Sequence, residues 1–296
     1  MQFAQDAGLF SQQLDIPNDR VLLVAMTQAD YESASFLDNR LLQPAGGQTQ
    51  GVPAQQQRQM QWAPWDALAS QSKSIRSDAQ FIFHIGHVGS TLLARLLGTA
   101  IDTLSLREPQ LLRQFAELKA LRGKAHSPWS PDTFDQRLAV AVQWLSRTFE
   151  ANQRALIKAT SFASDIAPDL LNHQRKGLLL TLTPERYLQT ILAGENSRAE
   201  LSALSSNRLK RLHHRMGEAP FKLWELDEAQ RAAMAWACEM TALEQVSDED
   251  VAWLDFDRFL AQPAEKLTEV AQFLDIAISQ EQANDLVTGP LMQQYS

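Results

Sequence analysis

One run does most to limit what this chain can become: Phe81-Ile82-Phe83-His84-Ile85-Gly86-His87-Val88-Gly89-Ser90-Thr91-Leu92-Leu93-Ala94-Arg95-Leu96-Leu97. Phe81 to Ile85 is short, apolar and free of breakers, as a strand buried on both faces must be. Gly86 and Gly89 permit backbone angles and close approaches that a side chain blocks. Leu92, Leu93, Leu96 and Leu97 recur at helical spacing, which predicts a helix with one face buried under a sheet. Ser90 and Thr91 are expected to cap that helix. Their hydroxyls and the free first-turn amides then face the loop, at the positive end of the helix dipole. Strand, glycine turn and helix N-terminus together predict an anion site formed by Gly86, His87, Val88, Gly89, Ser90 and Thr91. The competing reading is a strand–turn–helix whose glycines serve packing alone.

The loop departs from the nucleoside-triphosphatase pattern, which needs a Gly five residues before Gly89 and a Lys directly after it. His84 and Ser90 stand there instead. Asp255, after Val251-Ala252-Trp253-Leu254, is the nearest candidate for a Mg²⁺-holding carboxylate at a strand end.

Short apolar runs at 81–86, 102–106, 155–158, 177–182 and 251–255 alternate with helical patterns. That alternation predicts an α/β fold with a mainly parallel central sheet, right-handed crossovers and helices on both faces. Ligands in such sheets sit beyond the carboxyl ends of the strands, so the residues following each strand become candidates. They are Leu106-Arg107-Glu108-Pro109, Lys158-Ala159-Thr160-Ser161, Thr181-Leu182-Thr183-Pro184-Glu185-Arg186 and Asp255-Phe256-Asp257. Upstream, residues 1–78 hold a strand-like run from Val21 to Met26 and a helical stretch with Phe36, Leu37, Leu41 and Leu42. Residues 48–61 carry seven Gln together with Gly51 and Pro53, which predicts a linker or mobile loop before an α/β domain over 79–296.

Charge and cysteine usage narrow the function classes. A net charge of −8 argues against nucleic-acid binding through a basic surface. The one cysteine, Cys238, forbids an internal disulfide and fits a reducing compartment. Its neighbours Met234, Ala235, Trp236 and Ala237 predict a buried helix. No apolar run is long enough to cross a bilayer and the N-terminus lacks a signal pattern, so a cytoplasmic protein that does not bind membrane is expected. His213 and His214 are adjacent and diverge on a helix, and His84 and His87 flank a strand-to-loop change, so no metal is expected. The basic run Asn207-Arg208-Leu209-Lys210-Arg211-Leu212-His213-His214-Arg215 reads first as a solvated helix face. Its alternative is a surface for an acidic ligand.

Three features resemble the sulfotransferases that use 3′-phosphoadenosine 5′-phosphosulfate (PAPS). His87-Val88-Gly89-Ser90-Thr91-Leu92-Leu93 is similar to that family's 5′-phosphosulfate loop. Leu182-Thr183-Pro184-Glu185-Arg186-Tyr187-Leu188-Gln189-Thr190 sits where the family has Arg-Asp-Pro-Arg-Asp followed by a Ser. Leu254-Asp255-Phe256-Asp257-Arg258-Phe259-Leu260-Ala261-Gln262-Pro263, and then Phe273-Leu274-Asp275-Ile276, resembles its late conserved region. The order and spacing match from about Phe81 to Ile276. The resemblance implies a three-layer fold like that of P-loop nucleoside triphosphatases, and sulfuryl transfer from PAPS to a hydroxyl or amine without a metal. The product would be 3′,5′-adenosine diphosphate.

The chain departs from the family at three places. His87 replaces the loop's Lys or Arg, Leu182 replaces the arginine that grips the 3′-phosphate, and Thr190 replaces the serine. Arg186 and Arg198 are the candidates to restore the 3′-phosphate grip. The late Gly-rich basic nucleotide loop of the cytosolic branch is missing, which places the resemblance nearer the divergent bacterial and tyrosyl-protein-like branches.

The resemblance makes Glu108 the base that takes the acceptor's proton and Lys158 the cation that steadies the leaving group's bridging oxygen. The plainer readings are a carboxylate favoured by a helix N-terminus for Glu108, and a structural pairing with Glu108 or Asp165 for Lys158. Thr160 and Ser161 read as caps. The acceptor is expected to be a small molecule or a peptide. An ATP-dependent small-molecule kinase and a binding protein that has lost catalysis are the rival functions.

Overall fold

The computed structural model describes residues 3–4, 7–42, 58–172, 174–218 and 220–293. The central sheet has five strands: β4 (Gln80–His84), β5 (Thr103–Arg107), β6 (Arg154–Lys158), β7 (Gly177–Thr181) and β8 (Val251–Asp255). Upstream, β1 (Leu9–Asp15), β2 (Arg20–Ala25) and β3 (Met60–Pro64) form a separate antiparallel sheet. The five predicted runs all become strands, within two residues at each end. All pairings in the central sheet are parallel and its order is β5-β6-β4-β7-β8. β4, which leads into the glycine loop, therefore lies in the middle.

Crossover handedness fixes the layers. The connection from β4 to β5 runs one way along the sheet and the later connections run the other. Right-handed crossovers then put their helices on opposite faces. The helices Ser90–Leu97 and Pro263–Phe273 pack together on one side. The helix Gln110–Lys119, the 3₁₀ turn Ser161–Ile166 and the helix Glu228–Leu243 pack together on the other. The result is the expected three-layer α/β fold, with a crevice at the carboxyl end of β4 where the chain reverses its progress along the sheet.

The N-terminal sheet shares the main core, because Phe10, Leu14, Val21 and Val24 join the same buried cluster as Phe81 and Phe83. Two buried arginines bind the N-terminal segment to the central domain through backbone carbonyls. Arg147 donates to Phe3 O (2.7 Å) and Leu9 O (2.7 Å). Arg107 donates to Ala34 O (2.8 Å), Glu32 O (3.0 Å) and Tyr31 O, satisfying carbonyls that the end of the helix Gln28–Ser33 leaves open.

The sequence pattern does not predict strand β1. Its register slips between Ser11 and Gln13, and the buried Gln12 reaches across to Asp38 O (2.8 Å), so its sequence lacks a clean alternation. The Gln-rich stretch lies outside the described residues as far as 57. Met60 and Gln61 belong to β3, paired with β2, rather than to a linker. The helical stretch near Phe36 is a 3₁₀ turn, Asn39–Leu42.

The basic run is the clearest correction. Arg208 and Arg211, on the helix Glu195–Met216, are buried rather than solvated. Arg208 Nε lies 3.2 Å from Glu239 Oε1, and Arg211 meets both Glu239 oxygens at 3.0 and 2.9 Å. Arg211 (2.5 Å) and Arg215 also hold Asp165. Glu239 is wholly inaccessible on the helix Glu228–Leu243, so these charges bind two helices to each other and to the 3₁₀ turn. Removing one partner would leave buried guanidinium groups uncompensated. Glu239→Ala is expected to destabilise the fold by about 3–5 kcal/mol, read as a shift in the urea unfolding midpoint. A shift under about 1 kcal/mol, the range of exposed pairs, would show that the network is not desolvated as described.

Candidate active site

The loop after β4 turns through three left-handed residues, Gly86 (φ 90°), His87 (φ 52°) and Gly89 (φ 68°). At Gly89 the space is filled as well: a Cβ there would lie 1.9 Å from the Phe256 ring, which reaches over from the end of β8. Gly89 itself is the N-cap of the helix Ser90–Leu97 and no side chain caps it. Ser90 and Thr91 are thus first-turn residues, not the caps the sequence predicted. Thr160 likewise heads its 3₁₀ turn without a side-chain cap bond. The first-turn amides lack intrahelical acceptors, and they meet a cleft that the hydroxyl-bearing residues Ser90, Thr91, Thr160 and Ser161 also line. This donor set fits an anion.

That cleft, of about 630 Å³, also contains His84, Glu108, Lys158, Glu200, Phe36, Asp38, Arg40, Arg113 and Phe162. Lys158, at the end of β6, is 2% exposed, and its ammonium contacts Glu108 Oε1. Burial lowers the Lys158 pKa, and Glu108 opposes that shift. Glu108 follows β5 in a left-handed conformation (φ 53°), its amide donating to Lys158 O (2.7 Å). Such a backbone is uncommon for a residue with a side chain. Here it turns the carboxylate from the end of its own strand toward Lys158. Its second oxygen lies 3.5 Å from Arg40 Nη2. Arg40 is itself chelated by Asp38 (2.9 and 2.6 Å) and covers the Phe36 ring at 3.4 Å.

His84 closes the floor of the cleft. Its Nδ1 accepts from Gly86 N (3.0 Å), which leaves Nε2–H to donate to Ala159 O (2.9 Å). Burial, and then the charge of Lys158, hold its pKa well below the usual histidine value, so this ring is neutral. His87 faces the helix Glu195–Met216. Its Nε2 is 3.3 Å from Glu200 Oε2 and its Nδ1 is 3.3 Å from Ser197 Oγ.

The structure therefore brings together Gly86, His87, Val88, Gly89, Ser90, Thr91, Glu108 and Lys158. It does not bring in the other three predicted residues, none of which lines this cleft. Arg186 is held by Asp257 (3.1 Å) and Gln189 (3.3 Å), Arg198 by Glu228 (2.8 Å), and Thr190 donates to Arg186 O (2.8 Å). Leu182 is buried, its carbonyl accepting from Trp236 Nε1 (3.0 Å). Asp255 caps the helix Phe256–Ala261 through Arg258 N (3.1 Å). Of the two partners considered for Lys158, Glu108 holds it and Asp165 does not. The sequence reading missed Phe36, Asp38, Arg40, Arg113, Phe162 and Glu200, and no local pattern marks any of them.

No known family profile matches the sequence, and no curated protein does. Among solved structures the chain is similar to a sulfotransferase domain from the curacin biosynthetic pathway, at 15% identity and TM-score 0.45, over 74% of this chain and 80% of that one. It is similar to the sulfotransferase domain of the Synechococcus PCC 7002 olefin synthase at 14% identity and TM-score 0.42, over 73% and 79%. The corresponding values for a sulfotransferase from Alicyclobacillus acidocaldarius are 14% and 0.37, over 67% and 81%. Each of these TM-scores is below 0.5.

The contact between Phe256 and Gly89 generates a double-mutant test. Gly89→Ala meets both the ring and a left-handed backbone and is expected to destabilise strongly. Phe256→Ala removes the overlap, leaving a backbone cost of about 1–2 kcal/mol. The double variant should be clearly more stable in urea than the sum of the single effects predicts. Additive effects would mean that the ring does not rest on the loop.

Proposed function

We propose that this protein is a sulfotransferase that moves a sulfuryl group from PAPS to a hydroxyl or amine of a small-molecule or peptide acceptor. The observation that carries the reading is the Glu108–Lys158 pair, a carboxylate and a buried ammonium in one cleft with an uncapped anion loop. Sulfuryl transfer asks a protein chiefly for positioning and charge stabilisation. The first-turn amides and the hydroxyls of Ser90 and Thr91 are the groups suited to the donor's 5′ end.

Glu108 accepts the acceptor's proton as the new S–O or S–N bond forms. Lys158 donates to the bridging oxygen as the S–O bond to the leaving phosphate breaks. Their mutual contact holds the carboxylate against the amine until the reactants separate them. The absence of a lysine after Gly89 weighs against ATP chemistry. Among the described residues no helix is long and apolar enough to cross a membrane. The lone, buried Cys238 supports the reading of a reducing, cytoplasmic setting.

Thermal stabilisation by 3′,5′-adenosine diphosphate, by ADP, and by ATP with Mg²⁺ tests the donor class. A ligand that binds only the folded state raises the melting point with its affinity. Stabilisation by 3′,5′-adenosine diphosphate is expected. A response only to ATP with Mg²⁺ would move the assignment to a kinase, and silence from all three to a scaffold without this chemistry. With an acceptor found, Glu108→Gln and Lys158→Ala are each expected to lower kcat by about 10²–10³-fold while retaining nucleotide binding. Turnover at the wild-type rate in either variant would remove that residue from the reaction.

A further inference from the structure

We infer that Glu200 is a carboxylate stand-in for the donor's anion, holding the loop's histidine in the free protein and yielding it when a phosphate group arrives. The inference rests on the reading of the loop as an anion site and deepens it, because it assigns a residue that sets how tightly the site takes its ligand.

Ser197 and Glu200 lie three residues apart on the helix Glu195–Met216 and so share one face. Both point at His87, one to each ring nitrogen, at 3.3 Å. The helix thereby closes over the loop, with Glu200 forming part of the cleft wall. The hydrogen bond from His87 first, against the cost of burial, lowers the Glu200 pKa, so the group is an anion at neutral pH. Its oxygens offer the cleft the same chemistry as a phosphate oxygen: negative charge and acceptor lone pairs toward a ring N–H. An arriving phosphate and this carboxylate would compete for His87 and repel each other across a partly desolvated cleft.

Displacement does not strand the carboxylate. Glu200 Oε1 already lies 3.5 Å from Arg208 Nη2, and Arg208 is itself fixed by the inaccessible Glu239. When His87 turns to a ligand, Glu200 keeps a cation partner that does not move. Arg40 feels it from across the cleft: against the cost of burial, Asp38 first, then Glu108 and last Glu200 raise the Arg40 pKa.

The test is calorimetric titration of pyrophosphate and of 3′,5′-adenosine diphosphate into wild type, Glu200→Gln and Glu200→Ala at fixed pH and ionic strength. The Glu200 side chain is 42% exposed, so both variants are expected to fold, and melting curves check this. Both should bind both ligands about tenfold more tightly than wild type, since each removes the competing charge. Unchanged or weaker binding in Glu200→Gln overturns the inference and makes Glu200 a support for His87. Tightening in Glu200→Ala alone also overturns it, by assigning the effect to space. Independently of any variant, the His87 ring resonances should shift when wild type is saturated with pyrophosphate, and unmoved resonances overturn the displacement. Absence of binding by all three proteins removes the anion site itself and the proposed function with it. That outcome differs from failure of the inference alone, in which wild type still binds.

Discussion

Burial of an ammonium at the end of β6 sets the conditions that the rest of the cleft meets. Lys158 is 2% exposed, and an isolated charge at that depth would be lost by deprotonation or cost several kcal/mol. It needs a carboxylate, and the neighbouring strand β5 supplies one only because Glu108 takes a left-handed backbone that directs its side chain to Lys158. That turn is itself held from outside the central sheet. Leu37 N donates to Arg107 O (2.6 Å) and Gln110 N to Leu37 O (3.1 Å), so the N-terminal segment brackets Glu108 on both sides. The same segment delivers Arg40, held by Asp38, to the second carboxylate oxygen. The described segment after β2 is therefore a structural part of the cleft and not an appendage.

A second set of charges performs the corresponding task for the opposite wall. Glu239, Asp165 and the arginines 208, 211 and 215 lock the helix Glu195–Met216 against the helix Glu228–Leu243. Cys238 sits beside this network, and burial first, then the Glu239 charge, push its thiol up to about 11. That makes it an unreactive core group. Phe162 lies between the two walls, with Arg113 and Arg211 each 5.1 Å from its ring. Glu200 thus lines the cleft from a helix that buried ion pairs hold in place.

The sequence makes the central sheet legible because its strands are buried on both faces and read as uninterrupted apolar runs between helical patterns. The loop is legible for a related reason: Gly86 and Gly89 occupy positions that require φ above zero, and no other residue type fits so easily. Glu108 and Lys158 are legible by rule, since ligand groups gather where parallel strands end. Patterns fail where one polar residue satisfies another from a distant part of the chain. Gln12 is buried in β1 because Asp38 O receives it, and Arg208 is buried because Glu239 does. A run of arginines looks solvated until the acids that neutralise it are known: Glu239 lies 31 residues from Arg208, and Asp165 lies 46 from Arg211. Arg40 and Glu200 enter the cleft from elements 68 and 92 residues from Glu108, one before and one after it. Three-dimensional proximity alone marks them.

Under the proposed function, a cleft in a protein of net charge −8 must receive a polyanion. Its cationic side chains are already matched, Lys158 with Glu108, Arg40 with Asp38 and Glu108, and Arg113 with Glu117, while the His87 ring meets Glu200. An incoming phosphate therefore meets no open field of positive charge, and each side-chain cation it gains must first leave a carboxylate. The backbone amides at the start of the helix Ser90–Leu97 are different, because geometry denies them an intrahelical acceptor and no side chain caps them. Anchoring must then begin at the amides, with the side-chain cations exchanging partners afterward. Such an order favours ligands with several anionic oxygens over monoanions, since one group must remain on the amides while another displaces a carboxylate. The phosphosulfate of the proposed donor has that form, and under that proposal its first contacts fall on the amides where the glycine loop enters the helix.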